Sequence, residues 1–142
     1  MDIIKNILFL YLRFMKNPYY QNVSFRNSIR HAIDGLKAIF RDERNFRNDL
    51  MIALLVIMMG VLLEISHFDW IAITLVISMV LVSEAMNSVI EAMCDTVSHE
   101  FKVNIKYAKD VSAGAVLLSA FVSVITGLMV FMPYILELLG RL

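Results

Sequence analysis

The chain has 142 residues, 59% hydrophobic and 18% charged, and its thirteen basic residues balance thirteen acidic ones. With a mean hydropathy of +0.70, it carries more apolar surface than a soluble core of this size can hide, so lipid must solvate part of it. The even charge points to no nucleic-acid partner, and the single Cys94 excludes an internal disulfide or a structural zinc site built on cysteine pairs.

Residues 1–23 carry an apolar stripe, Ile3, Ile4, Ile7, Leu8, Tyr11, Phe14 and Met15, broken at Asn17-Pro18. Asp2 leads it, Lys5 and Arg13 interrupt it and no small-x-small cleavage site follows, so it reads as a retained interfacial anchor, not a signal peptide. Residues 24–142 read as one membrane domain. Its first element, over about 25–45, sets Ile29, Ala32, Ile33, Leu36, Ile39 and Phe40 against Arg30, Asp34, Lys37 and Arg41. This is the pattern of an amphipathic helix lying on the membrane surface, capped near Ser24.

A dense polar stretch, Asp42-Glu43-Arg44-Asn45-Phe46-Arg47-Asn48-Asp49, joins that helix to the first span; charges at such an interface are commonly just solvated. Three transmembrane helices are predicted, over about 46–65, 70–97 and 111–138. The second must stay helical to Val97, because Val89, Ile90, Ala92 and Met93 keep its other faces apolar. The third carries Gly114 and Ala115 as packing positions and Pro133 late in the span, with Lys109 and Asp110 closing the loop before it. Nine Lys and Arg precede residue 48 and three more lie at Lys102, Lys106 and Lys109, whereas Glu64 to Asp69 holds none. The positive-inside bias therefore puts the N-terminus and the second loop in the cytoplasm, with the C-terminus outside, in a multi-pass protein of the plasma membrane.

Glu84, Asn87, Glu91 and Asp95 follow the uncharged run Trp70 to Val82 at spacings of three, four and four residues. At about 100° per residue they share one narrow helical stripe. Carboxylates at membrane depth are costly unless they face protein, water or a cation, so this ladder marks a functional site. With Glu43, Lys109 and Asp110 at the same depth, carboxylates and lysines suit Mg²⁺ and a polyphosphate, and one unliganded carboxylate can take a proton from an attacking hydroxyl. No GxxxxGK[ST], HRD or DFG signature occurs, which excludes the ordinary nucleotide-binding folds. The residues alone leave a proton relay or a polar zipper between subunits open beside catalysis.

The stretch Glu84-Ala-Met-Asn87-Ser-Val-Ile-Glu91-Ala-Met-Cys-Asp95, then Ala108-Lys109-Asp110 with Ala113-Gly114-Ala115, and Glu43-Arg44-Asn45-Phe46-Arg47 upstream, together resemble the small integral-membrane diacylglycerol kinases of bacteria. The resemblance covers roughly residues 24–136, and the forms of the first and last motifs look most like the Gram-positive branch, chiefly undecaprenol kinases.

That resemblance implies an all-α membrane protein, a surface helix plus three transmembrane helices in a homotrimeric bundle, with sites shared between subunits. It implies transfer of phosphate from ATP to a lipid alcohol from the bilayer, undecaprenol first and diacylglycerol as the rival substrate; a non-catalytic or proton-coupled oligomer is the alternative of another class. Glu84 would be the general base, and Glu43 and Glu91 would hold Mg²⁺. Lys109 and Asp110 would contact the nucleotide, bordered by Glu100, Phe101 and Lys102, where the family often has a His in the last place. From its place on the surface helix near the expected site, and not from the resemblance, His31 would be a further nucleotide contact. Asn87 would orient the reacting groups, with Arg47, Asp49, Asp95 and Ala113 supporting the site or the entry of lipid.

Overall fold

A computed structural model describes residues 24–97 and 102–140. Four helices follow one another: α1, Phe25–Asp42; α2, Arg44–Leu62; α3, His67–Val97; and α4, Val103–Gly140. The expected anchor within residues 1–23 lies outside the described residues.

Residues up to Ala38 and residues from Ile39 onward form separate compact units. In the first, α1 begins where the Ser24 carbonyl accepts from Asn27 and Ser28 at 2.8 and 3.0 Å. Its apolar positions Ile29, Ile33 and Leu36 are exposed, as an interfacial stripe requires.

In the second unit, α2, α3 and α4 are each long and apolar enough to cross a membrane. Large apolar side chains such as Leu55, Leu75, Leu117 and Met129 stand out from their helices more than half exposed, which is tolerable in lipid and not in water. The chain is therefore a membrane protein. Hydroxyls along the spans bond back to their own helices, Ser78 to the Thr74 carbonyl at 2.8 Å and Ser123 to that of Ala120 at 2.8 Å, and among the described residues no buried side-chain donor lacks a partner.

α3 and α4 form an antiparallel hairpin, since residues rising along α3 pair with residues falling along α4: Asp69 with Tyr134, Ser83 with Ser119, Asn87 with Ser112, Asp95 with Lys109. The small apolar core, Ile65, Ile73, Val130 and Phe131, lies toward the end opposite the ladder, with Trp70 and Tyr134 packed on it. There α2 ends in a Schellman arrangement, Ile65 N–H to the Gly60 carbonyl at 3.2 Å and Glu64 N–H to that of Val61 at 3.2 Å, with Glu64 at φ 49°. Ser66 then caps α3, its Oγ accepting from Asp69 N–H at 3.3 Å and donating to the Asp69 carboxylate at 2.7 Å.

One boundary differs from the sequence-based expectation in a way that matters. α4 begins at Val103, not near Val111, so Lys106, Lys109 and Asp110 are helical residues and not loop residues. Lys106 and Asp110, four apart, form an ion pair along the first turns, and the Lys106 amide donates to the Lys102 carbonyl at 3.0 Å. Local charge pairing thus carries the helix past the apolar span. At about 1.5 Å per residue, α3 and α4 run to roughly 46 and 57 Å, well beyond a hydrocarbon layer about 30 Å thick.

Candidate active site

Glu43 is the break between α1 and α2. Its backbone is extended (φ −98°, ψ 111°) and its carboxylate makes no cap hydrogen bond, so the charge is left for other work. Arg47 secures the joint by donating from Nη1 to the Phe40 and Arg41 carbonyls at 3.0 and 2.7 Å, two of the carbonyls in the last turn of α1. Beside it the Arg41 guanidinium, hydrogen-bonded at 2.7 Å, holds the exposed Asp42 carboxyl below the usual carboxylate range.

The ladder on α3 runs from buried to open. Glu84 is 3% exposed and Asn87 8%, whereas Glu91 is half-buried and Asp95 exposed. Glu84 lies roughly 21 Å along the helix from Trp70, inside a hydrocarbon layer about 30 Å thick, and the stripe opens toward the charged end.

What surrounds Glu84 is acidic. Asp49, Glu43 and Glu91 all lie within electrostatic reach of its carboxylate, and the Asn45 side chain approaches it. Among the described residues no Lys or Arg forms an ion pair with any of these four acids. Lys109 comes within electrostatic reach of Glu91, but its ammonium is held by Asp95 at 2.6 Å. Negative charge gathered at this depth needs a counter-ion.

Oxygen donors without thiolate or paired imidazole fit a hard cation. Among the described residues no three His, Cys, Asp or Glu side chains converge into a ready-made metal site. The arrangement fits an ion that arrives with phosphate, since Mg²⁺ takes one or two carboxylates and fills its octahedron with phosphate oxygens and water.

A second set of polar groups ties α3 to α4. Ser112, 6% exposed, donates to Asn87 Oδ1 at 2.6 Å, and Asn87 Nδ2 donates to Glu91 Oε1 at 3.3 Å. Two turns further along α4, Ser119 meets Ser83 at 2.7 Å. Sequence reading passed over Ser112, Ser119 and Ser83, and gave Asn45 no role within its motif. The signal was available for the serines: hydroxyls seven apart on one apolar helix, Ser112 and Ser119, mark a packed face.

From Asp49 an apolar groove of about 440 Å³ runs between α2, α3 and α4, lined by Ile52, Val56, Ile77, Leu81 and Val124 among others. Asp49, within electrostatic reach of Glu84, thus borders a groove apolar enough to accept hydrocarbon.

The remaining expected site residues are placed as follows. Asp110 pairs with Lys106, and Lys102 and Ala113 are exposed. His31 is exposed on α1 in the first unit, while Glu100 and Phe101 lie outside the described residues.

Comparison with known proteins adds to this geometry. The sequence profile of the prokaryotic diacylglycerol kinase family matches residues 30–131. An undecaprenol kinase of Bacillus subtilis is 37% identical over 109 residues, covering 77% of this chain and 89% of that protein. A diacylglycerol kinase of Synechocystis is 32% identical over 125 residues, with 87% and 71% covered, and one of Escherichia coli is 30% identical over 92 residues, with 65% and 75% covered.

Proposed function

This chain belongs to the prokaryotic diacylglycerol kinase family, and is thus a membrane lipid kinase; from that premise we propose that it phosphorylates undecaprenol with MgATP, in a homotrimer whose active site faces the cytoplasm. The observation that carries the reading is Glu84, buried at membrane depth among Asp49, Glu43 and Glu91, next to an apolar groove and within one helix face of Asn87. A relative named undecaprenol kinase covers most of both chains and favours the isoprenoid alcohol. Relatives named diacylglycerol kinase keep diacylglycerol as the second reading.

The lipid slides along the groove until its hydroxyl lies at Glu84. The hydroxyl oxygen attacks the γ-phosphorus of ATP, the bond to the β-phosphate oxygen breaks, ADP departs, and the hydroxyl proton passes to the Glu84 carboxylate. Glu84 suits that task by position, since it is buried beside Asn87 and has no Lys or Arg paired to it among the described residues. Glu43 and Glu91 would hold the cation, which would neutralise charge on the phosphates. Asn87 keeps Glu91 aligned; Lys109, with Lys102 near the start of α4, meets the phosphates from the aqueous side. Asp49 guards the mouth of the groove, and Arg47 fixes the joint on which Glu43 sits. No covalent enzyme intermediate is needed, since positioning and electrostatics supply the rate.

The test is transfer of labelled γ-phosphate in mixed micelles to undecaprenol and to diacylglycerol, compared at equal mole fraction. Preference for undecaprenol supports the proposal; preference for diacylglycerol rejects the substrate, and no labelled lipid of either kind rejects the reaction.

A further inference from the structure

Ser112 has one proton and two acceptors in reach, Asn87 Oδ1 at 2.6 Å and the Lys109 carbonyl at 2.9 Å. Which of them receives it is decided on the next residue along. Asn87 turns its other end to Glu91 Oε1 at 3.3 Å, and an ionised carboxylate only accepts, so the amide must present Nδ2 there. Turned over, Asn87 would set its carbonyl oxygen against the carboxylate. The favourable orientation leaves Oδ1 buried and in need of a donor, and the Ser112 hydroxyl is the donor at hydrogen-bond distance. The Lys109 carbonyl, inside α4, has the helix's own amides to serve it.

We propose that Ser112 is a positioning residue for phosphoryl transfer: by donating to Asn87 Oδ1 it fixes the amide so that Nδ2 holds the Glu91 carboxylate in one rotamer. The inference rests on the kinase reading above. The chain of contacts is directional, Ser112 to Asn87 to Glu91, and it links α4 to the ladder on α3. The Ser83–Ser119 contact is a chemical control on the same pair of helices, since it also joins two hydroxyls across the hairpin at 2.7 Å.

The full-length protein in mixed micelles tests this with two readouts. One is steady-state phosphorylation of undecaprenol and diacylglycerol over a range of cation concentrations; the other is binding of Mn²⁺ together with a non-hydrolysable ATP analogue, read from the electron paramagnetic resonance of free Mn²⁺. Partners that orient a metal-binding side chain are worth about 10- to 100-fold, so Ser112→Ala should lower kcat/KM and weaken Mn²⁺ binding by about tenfold or more. Ser112→Cys, of similar volume but a weak donor, should lose as much, Ser112→Thr should restore both, and Ser119→Ala should match the unmodified protein in both. In the Asn87→Ala background, Ser112→Ala should add nothing. Unchanged kinetics and Mn²⁺ binding in Ser112→Cys, or losses that multiply in the double variant, overturn the proposal while leaving the kinase reading intact. An unmodified protein that phosphorylates no lipid overturns both.

Discussion

The Lys109 ammonium lies 2.6 Å from the Asp95 carboxylate, closing the charged end of the α3–α4 hairpin. Both side chains are substantially exposed, at 34% and 55%. A pair of this kind contributes roughly 0–1 kcal/mol to stability, so its chief effect is to hold the lysine in place and not to hold the fold.

Lys109→Ala should therefore raise the KM for ATP by about tenfold or more, the loss of one charge-assisted phosphate contact, with a change in unfolding free energy below about 1 kcal/mol. Asp95→Asn should match it in stability and leave the lysine free for phosphate. ATP titrations and a thermal scan of both variants check this; a large fall in thermal stability for Lys109→Ala would show the pair to be structural.

Glu84→Gln should cost about 10²- to 10⁴-fold in kcat with little change in the KM for ATP, as expected when a general base is lost. It should not destabilise the protein. The substitution removes a buried charge that has three acidic neighbours in electrostatic reach, so the melting temperature should hold or rise. Single-turnover kinetics and a melting curve in the same detergent decide both halves.

Gly60 sits where a methyl group would come 2.9 Å from Trp70 Cη2 and 3.1 Å from Ile65 Cδ1. Gly60→Ala should push the indole out of its place and cost about 1–3 kcal/mol, the usual range for overpacking. Trp70 is the only tryptophan, so its fluorescence reports the shift directly. Gly35→Ala, which meets nothing within 4 Å, should leave the emission unchanged.

Among the described residues Glu64 is the non-glycine residue with positive φ, at 49°, and it occupies the position after α2 where glycine is favoured. Glu64→Gly should stabilise the protein by up to about 1 kcal/mol, the relief of that backbone strain less the entropy glycine loses. Unfolding in a denaturant series would register the gain as a shifted midpoint at unchanged slope.

The clamp at that end gives a matching loss. Tyr134 Oη accepts from Ser66 N–H at 3.0 Å and donates to Asp69 at 2.6 Å, so Tyr134→Phe removes both contacts and should cost about 0.5–1.5 kcal/mol, water replacing them at the exposed Ser66 amide. Its kcat should be unaltered, because the clamp lies at the far end of the hairpin from the ladder.

Periodicity alone determined the amphipathic surface helix, the three apolar spans and the single stripe of Glu84, Asn87, Glu91 and Asp95, because those depend on neighbours three and four residues apart and on the mismatch of apolar side chains with water. The motifs also carried the family. What only the tertiary structure decided are contacts between residues distant in sequence: Ser112 on Asn87, Ser119 on Ser83, Lys109 on Asp95 and not beside a free Asp110, and Tyr134 on Ser66 and Asp69. The beginning of α4 at Val103 belongs to the same group, since hydropathy reports where a helix enters lipid and is silent on how far ion pairs such as Lys106–Asp110 extend it into water. A serine in an apolar run looks alike to any local rule whether it bonds its own carbonyls or a neighbouring helix; the register of the α3–α4 hairpin chooses between them.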